Sequence, residues 1–268
     1  NRMDAALCRE LLARRCRPEP VGRWDVRSRL AHFALVNYAL PKERLASHIP
    51  EDRFEIPEFD IGGRRLAMMS AVPFVDLDFH FPRLAAFAKF RFAQTNYRVY
   101  VNDRRTCEPC AWFFGTTLGS PVVNIPRWLW RLPWHFARYR VDCSHNAAMG
   151  RYNSFRITAD SKWGPAEVEL EDTGAPVSVC EGFQSPEEVA LVLTHPVDGY
   201  YRRDDGHLGH YSVRHEKMRL TVARPLRLRF GLFERLNLLS HQEMSQPHSV
   251  FLCPEVEFLI HLPPQRLF

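Results

Sequence analysis

The segment Arg91–Val101 reads RFAQTNYRVYV and alternates between two kinds of side chain. The first kind is mainly apolar and occupies Ala93, Thr95, Tyr97, Val99 and Val101. The second kind is polar and includes Gln94, Asn96, Arg98 and Tyr100. Because side chains on a β-strand point alternately to opposite faces, this pattern predicts a strand with one buried face and one polar face.

A turn and a second strand follow this segment. The polar run Asn102–Arg105 is typical of a turn, and the next segment, Ala111–Thr117, is apolar on both faces, as a central strand would be. Arg91–Val101 and Ala111–Thr117 are therefore predicted to form a β-hairpin.

Further short strands are predicted along the chain, together with a few short helices. The other strands are Leu66–Val72, Phe136–Cys143, Arg151–Ala159, Glu167–Glu171, Tyr211–Ala223 and Val256–Leu262. The helices are Ala5–Leu12 after an Asp4 cap, Lys42–Ile49, Pro121–Arg131, a segment that starts at Ser185-Pro186, and Phe230–Leu239. Strands and helices do not alternate, which favours an α+β fold around an antiparallel sheet or barrel. One domain is expected over residues 1–268, with residues 1–23 as an N-terminal helical extension.

Composition and charge argue against several classes of protein. Of the 268 residues, 46% are hydrophobic and 25% are charged, which is typical of a globular protein. The net charge of +5 is scattered among acidic residues, whereas nucleic-acid binding needs a basic stripe. No apolar run reaches the ~18 residues of a membrane span, and no signal-peptide core is found. A cytoplasmic protein without nucleic-acid or membrane partners is expected, and its seven irregularly spaced cysteines do not indicate a disulfide framework.

Several segments resemble, in the same order, motifs of the YqjF-like family of uncharacterised proteins. Gln94–Val101 (QTNYRVYV) is similar to that family's E-L-N-V-R-T-Y-V strand, and Trp112-Phe113-Phe114 is similar to its following aromatic strand. Leu132–Arg138 (LPWHFAR) resembles the L-P-Y-Y-W-A-R segment, and Val213-Arg214-His215 resembles the V-H-H strand. The resemblance spans roughly residues 24 to 262, and the order of the motifs makes it more specific than any one of them.

The resemblance implies the fold of the acetoacetate decarboxylase superfamily, a partly open antiparallel barrel or double sheet around a cavity, with a few short helices. The decarboxylase forms a Schiff base on a lysine that a neighbouring cation activates. Its F-P-K-K-L-A pattern corresponds here to Leu132–Ala137, where Trp134 and His135 replace both lysines. A cavity glutamate corresponds to Gln94, which cannot titrate. The resemblance therefore implies the fold without the Schiff-base decarboxylase reaction.

Six residues are predicted to line the cavity, and one more to carry out chemistry in it. The predicted lining residues are Gln94, Asn96, Arg98, Tyr100, Trp134 and Arg138. Arg98 is the predicted anchor for an anionic group such as a carboxylate. His135 is the candidate general acid or base, with a packed core histidine as the alternative. No ligand spacing indicates a metal site, and no cofactor is predicted.

Two other features have ordinary structural explanations beside functional ones. Cys107-Glu108-Pro109-Cys110 is a C-x-x-C motif, but it falls in the predicted hairpin turn and no second motif completes a zinc site. Lys217, two residues after His215, would supply a relocated amine if that strand faced the cavity. A surface lysine is the alternative.

Three functions are open on this basis, while ligand identity and oligomeric state are not predicted. The first is a small-molecule-binding protein whose decarboxylase-like cavity has lost the Schiff-base lysine and holds an anionic ligand. The second is an enzyme that uses His135 for acid-base chemistry on a small carboxylated or carbonyl substrate. The third is a structural or interaction protein, in which Trp128, Trp130 and Trp134 would form a contact surface.

Overall fold

The computed structural model describes residues 4–121 and 124–267, without the side chains of residues 125 and 126. The strands within these ranges are β1 Val26–Leu40, β2 Phe54–Glu55, β3 Phe59–Ile61, β4 Arg64–Phe81, β5 Ala85–Asp103, β6 Pro109–Leu118, β7 Trp134–Phe136, β8 Arg138–Asn146, β9 Arg151–Asp160, β10 Ala166–Pro176, β11 Asp198–Arg202, β12 Leu208–His215, β13 Thr221–Phe230 and β14 Ser249–Leu267. The α-helices are α1 Ala5–Arg15, α2 Glu43–Ala46, α3 Asn124–Trp130, α4 Pro186–Val189, α5 Gly231–Arg235 and α6 His241–Met244, and a π-helical turn, Ala190–Thr194, continues α4. Among the described helices, none combines the length and the apolar character needed to cross a membrane.

Seven strands form a closed barrel in the order β1-β4-β5-β6-β11-β12-β14. The ring closes because β14 pairs antiparallel with β1, from Val26 opposite Ile260 to Asn37 opposite Ser249. The other pairs in the ring are also antiparallel, except that β6 and β11 run parallel. The expected α+β fold built on an antiparallel barrel with a few short helices is confirmed, and the predicted β5–β6 hairpin is present.

Four strands outside the ring, β13, β10, β9 and β8, extend the sheet from β14 and cover one side of the barrel. Tyr97 and Val99 of β5 lie in one apolar core with Phe155 of β9 and Val168 of β10. The apolar face of β5 therefore points outward, beneath this outer sheet. Because strand side chains alternate, the polar face of β5 points into the barrel.

The plug, defined as Pro186–Thr194 (α4 and the π-helical turn), packs into one end of the barrel. The helix begins where the sequence predicts, because the Ser185 hydroxyl accepts a hydrogen bond from the Glu188 backbone N–H and Pro186 occupies the first turn. Val189, Val192 and Leu193 share a core cluster with the inward-facing side chains of the barrel, which include Met68, Val72 and Phe251. Burial of this apolar face holds the plug against the barrel.

The N-terminal helix α1 packs on the barrel rather than extending into solvent. Its first turn is capped by Asp4, whose side chain accepts a hydrogen bond from the Ala6 backbone N–H. Arg15, at its last turn, is 2% exposed and donates hydrogen bonds to the carbonyl oxygens of His195 (2.6 Å) and Pro109 (2.9 Å). These bonds connect α1 to the residue after the plug and to the start of β6.

Several predicted elements differ from the observed ones. The predicted strand Tyr211–Ala223 is divided into β12 and β13 by the non-strand residues 216–220. The predicted helix Phe230–Leu239 is helical only over α5, and Asn237, which follows it, has a φ of 55°, outside the helical range. Within the predicted helix Pro121–Arg131, residues 122 and 123 lie outside the described residues, and α3 accounts for the rest.

Candidate functional site

Side chains from several strands line the inside of the barrel beyond the plug, a region that we call the chamber. Asn96 of β5 pairs with Thr116 of β6, and Thr116 pairs with Trp134 of β7, so these three side chains face the same side of the sheet. The ring of Tyr211, from β12, lies 5.6 Å from that of Phe113 on β6. The inward-facing residues Gln94, Asn96, Trp134 and Tyr211 are only half-buried, so solvent reaches this part of the chamber.

Arg98 lies at the floor of the chamber, next to the plug. Its Nη2 atom donates hydrogen bonds to the Leu193 carbonyl oxygen (2.9 Å) and to the Tyr100 hydroxyl (3.4 Å). Its Nε atom is buried and has no hydrogen-bond partner. No ion pair joins Arg98 to a carboxylate in residues 4–121 and 124–267. A buried guanidinium without a counter-charge is costly, so this position favours an anion.

Tyr100 lies deeper than Arg98 and supports it. The Tyr100 hydroxyl donates to the Leu193 carbonyl oxygen (3.0 Å) and lies 2.7 Å from the Ser70 hydroxyl. Ser70 in turn donates to Asn37 Oδ1 at 2.6 Å. Tyr100 is 2% exposed, so it fixes the plug and Arg98 in place instead of lining the open part of the chamber.

Asp76 is a chamber residue that the sequence analysis missed. It is fully buried on β4, and its carboxylate accepts hydrogen bonds from the Ser28 hydroxyl (2.6 Å) and from Gln94 Nε2 (2.9 Å). Burial, with a smaller contribution from the charge of Asp78, raises its pKa to about 7. Asp76, the first acid after the mainly apolar segment Leu66–Val75, is the signal that could have identified it. The chamber thus has a carboxyl group that titrates near neutral pH, hydrogen-bonded to the side chain of Gln94.

The prediction that His135 faces the chamber was wrong. His135 pairs with Thr117, whose side chain points toward the outer sheet, and its ring stacks on Trp163 with 3.9 Å between centroids. Burial, together with the positive charges of Arg127 and Arg235, lowers the pKa of His135 to about 4. Adjacent residues of a strand point to opposite faces, so only one of Trp134 and His135 can face the chamber, and that one is Trp134.

Three other predicted features also lie away from the chamber. Arg138 is exposed on β8, opposite Asp160 of β9, so its predicted place in the cavity was wrong. Lys217 is exposed in the connection between β12 and β13. In the C-x-x-C motif, Cys107 is exposed, whereas Cys110 is buried on β6, and burial raises the pKa of the Cys110 thiol. A buried thiol with a raised pKa is not a reactive thiolate.

Solved structures with a similar fold include enzymes of the acetoacetate decarboxylase type. Acetoacetate decarboxylase from Legionella pneumophila matches with a TM-score of 0.58 at 12% identity, covering 94% of this chain and 92% of that one. An acetoacetate decarboxylase-like enzyme from Sphingomonas wittichii RW1 matches with a TM-score of 0.57 at 12% identity, covering 94% and 96%. The enduracididine biosynthesis enzyme MppR, complexed with pyruvate, matches with a TM-score of 0.57 at 12% identity, covering 93% and 92%. At this identity the likeness shows the fold.

Sequence comparison identifies the family. No curated protein matches the chain significantly. Residues 27–257 match the model of DUF2071, which is described as an uncharacterized conserved protein. The matched residues cover most of the chain and include every barrel strand at least in part. The chain therefore belongs to the DUF2071 family of YqjF-like proteins, and it shares its fold with acetoacetate decarboxylase-like enzymes.

Proposed function

We propose that the chamber binds a small organic carboxylate through Arg98, without forming a Schiff base with it. The observation that carries this proposal is the state of Arg98, which is 9% exposed, has no carboxylate partner among the described residues, and has a buried Nε atom without an acceptor. A ligand carboxylate supplies both the missing negative charge and the missing acceptor. Charge-assisted hydrogen bonds of this kind are among the strongest in proteins.

The positions of the lysines support binding without a covalent bond. The chain has four lysines, Lys42, Lys89, Lys162 and Lys217, and all four are exposed. The chamber-facing position that matches the lysine pair of the decarboxylases is Trp134, which has no amine. A Schiff base needs a neutral amine within reach of the carbonyl carbon, and none of these lysines faces the chamber.

The similar MppR structure supports the class of ligand. That enzyme was solved with pyruvate, a small carboxylate that also carries a ketone. We therefore choose pyruvate and acetoacetate as the first probes, followed by a set of other small mono- and dicarboxylates. The half-buried residues Gln94 and Asn96 offer amide groups to the remaining polar atoms of such a ligand.

The test compares thermal unfolding of three proteins with and without these carboxylates. The wild type should gain thermal stability, since a ligand at one hundred times its Kd adds about 2.7 kcal/mol. Arg98→Met should lose the gain, whereas Arg138→Met, which removes an exposed arginine outside the barrel, should keep it. Circular dichroism checks that each variant is folded, and Arg98→Lys gives a second variant if Arg98→Met is not. A full gain in the Arg98 variant, or no gain with any probe in the wild type, would contradict the proposal.

A separate measurement tests the absence of covalent chemistry. Borohydride treatment in the presence of pyruvate or acetoacetate reduces an iminium to a stable adduct, which intact-mass spectrometry detects. We expect no added mass on the native protein. An adduct mapped to any of the four lysines would contradict this part of the proposal.

A second candidate function, proton transfer on the bound ligand, is favoured by Asp76 and not by His135. The Asp76 carboxyl titrates near neutral pH and is hydrogen-bonded to Gln94, which would have to rotate aside to let it reach a ligand. Exchange of the pyruvate methyl protons in D2O, followed by NMR, tests it. Exchange that is accelerated by the wild type and lost in Asp76→Asn would support an enzyme. Exchange at the uncatalysed rate in the presence of the wild type would contradict this second function, and ligand binding would remain the only proposed one.

A further inference from the structure

A second cavity, of about 490 Å³, lies outside the chamber, between the plug and the outer sheet. Its apolar walls include Val177 just after β10, Val189 and Ala190 of the plug, and Met218 and Leu220 from the connection between β12 and β13. Its volume falls within the range of small-molecule sites in proteins. The plug separates it from the chamber.

Two buried polar atoms at this cavity have no hydrogen-bond partner. They are Nε2 of His145, from β8, and Oγ1 of Thr221, the first residue of β13, and both residues line the cavity. A buried polar group without a partner costs about 1–3 kcal/mol. Such groups are uncommon in folded proteins, and both of these lie in the wall of one cavity.

The charge of the cavity wall indicates the sign of a bound ligand. Lys217 and Arg219 both line the cavity and are exposed, and neither forms an ion pair within the described ranges. No aspartate or glutamate is among the lining residues that the structure describes. The cavity therefore combines an apolar body with an uncompensated positive charge at its surface.

We propose that this cavity binds an amphipathic anion, a carboxylate with a medium-length hydrocarbon chain. The carboxylate lies between Lys217 and Arg219 and accepts the hydrogen bond of the Thr221 hydroxyl. The hydrocarbon chain packs against Val189, Met218 and Leu220. This site is independent of the chamber and of Arg98.

Titration with octanoate by calorimetry tests the proposal. The wild type should bind octanoate in the millimolar range or tighter, and the double variant Lys217→Gln/Arg219→Gln should bind about tenfold or more weakly, because it loses two charge-assisted interactions. The matched control is Arg64→Gln/Arg65→Gln, which removes two exposed arginines at the start of β4 and should bind as the wild type does.

Thr221→Val, which keeps the side-chain shape but removes the hydroxyl, should weaken binding severalfold. Octanol, which lacks the charge, should bind more weakly than octanoate.

The outcomes separate this site from the chamber. Octanoate binding that survives Arg98→Met but is lost in the Lys217/Arg219 variant supports the second site. Equal affinity in the wild type and the Lys217/Arg219 variant overturns it, as does absence of octanoate binding to the folded wild type at millimolar concentration. Binding that is lost in Arg98→Met would assign octanoate to the chamber and overturn the second site alone.

Discussion

Burial is the largest influence on the ionisation of Asp76, and the charge of Asp78 adds to it. The pKa of Asp76 rises from 3.8 to about 7. Between these two pH values the unfolded chain has released a proton that the folded protein still holds. The contribution of Asp76 to the free energy of unfolding therefore falls as pH rises through this window, and it is level at higher pH. At one pKa unit per 1.36 kcal/mol, the full loss is on the order of 4 kcal/mol as an upper bound.

Asp76→Asn should remove this pH dependence, because the amide does not ionise. We expect the stability of the variant, relative to that of the wild type, to be higher at pH 8 than at pH 4.5. Urea unfolding at a series of pH values measures this difference. Asp142→Asn, which changes an exposed aspartate on β8, is the control and should follow the wild type. If Asp76→Asn keeps the wild-type slope between pH 4.5 and pH 7, the Asp76 side chain is not held in the protonated form.

A substitution at His135 tests whether this side chain lies outside the chamber, on the outer face of β7. His135→Phe keeps an aromatic ring against Trp163 and should leave the carboxylate-induced thermal shift unchanged, because His135 lies on the other side of the strand from Trp134. The measurement is the thermal shift used for Arg98→Met. Loss of the shift in His135→Phe, with a folded protein, would place the histidine in contact with the ligand.

At the scale of residues, the sequence predicted which residues form the polar face of β5, but not which residues of other strands they contact. Alternation in RFAQTNYRVYV is a local property, and it was sufficient to put Gln94, Asn96 and Arg98 on one face. The carboxylate of Asp76 reaches Gln94 only because β4 pairs with β5 in a particular register, with Phe74 opposite Gln94. That register, and the face on which His135 lies, depend on strand pairing that the local pattern does not contain.

At the scale of elements, two glycines make room for aromatic rings at the β11–β12 hairpin. A Cβ atom on Gly209 of β12 would lie 2.2 Å from the Tyr201 ring, and one on Gly199 of β11 would lie 2.8 Å from the Phe113 ring. The ring of Tyr201 is fully buried beneath β12, so it has no space into which to move. The close approach of ring and backbone therefore requires glycine at these positions.

Gly209→Ala should destabilise the protein by about 2–3 kcal/mol, because the added methyl group forces the ring or the strand to shift. Gly164→Ala is the matched control. Its Cβ would meet Leu232 at an ordinary contact distance of 3.5 Å, and its backbone needs no left-handed conformation. Urea unfolding of both variants measures the difference. Equal stability of Gly209→Ala and Gly164→Ala would contradict this prediction, because it would show that the Tyr201 ring can move aside.

In the plug, the sequence predicts the start of the helix but not the π-helical turn or the contacts with the barrel. The start of α4 is encoded locally, by the Ser185 cap and Pro186, and the structure confirms it. The π-helical turn and the contact of the Leu193 carbonyl oxygen with Arg98 and Tyr100 depend on insertion of this segment into the barrel. Similarly, the short strand β11 has no extended alternation and is defined by its neighbours β6 and β12.

At the scale of the whole molecule, the α+β class could be predicted from element types, but closure of the barrel could not. Closure depends on pairing β1 with β14, at opposite ends of the chain, as in the pair Val26 and Ile260. Contacts so distant in sequence leave no local periodicity to detect. The family resemblance supplied this information instead, because it carried the topology of a known fold.

The shared core leads to a last prediction, that the chain unfolds as one unit. β14 belongs to the barrel and also pairs with β13 of the outer sheet, so the two sheets are continuous through β14. Trp112 of the barrel lies in the same core as Phe155 of the outer sheet. A structure with one continuous core is expected to unfold in a single cooperative transition. Tryptophan fluorescence and far-ultraviolet circular dichroism should therefore give the same urea midpoint.

A substitution in the N-terminal helix α1 further tests whether the chain unfolds in a single transition. Arg15→Met removes the hydrogen bonds from α1 to the His195 and Pro109 carbonyl oxygens and the ion pair with Glu108. It leaves two buried carbonyl oxygens without their donor, so we expect the urea midpoint to fall, by both probes equally. Arg9→Met, on an exposed position of α1, should leave the midpoint unchanged. If the two probes separate in the wild type, the barrel and the outer sheet are independent units. If they separate only in Arg15→Met, α1 is needed to couple the two.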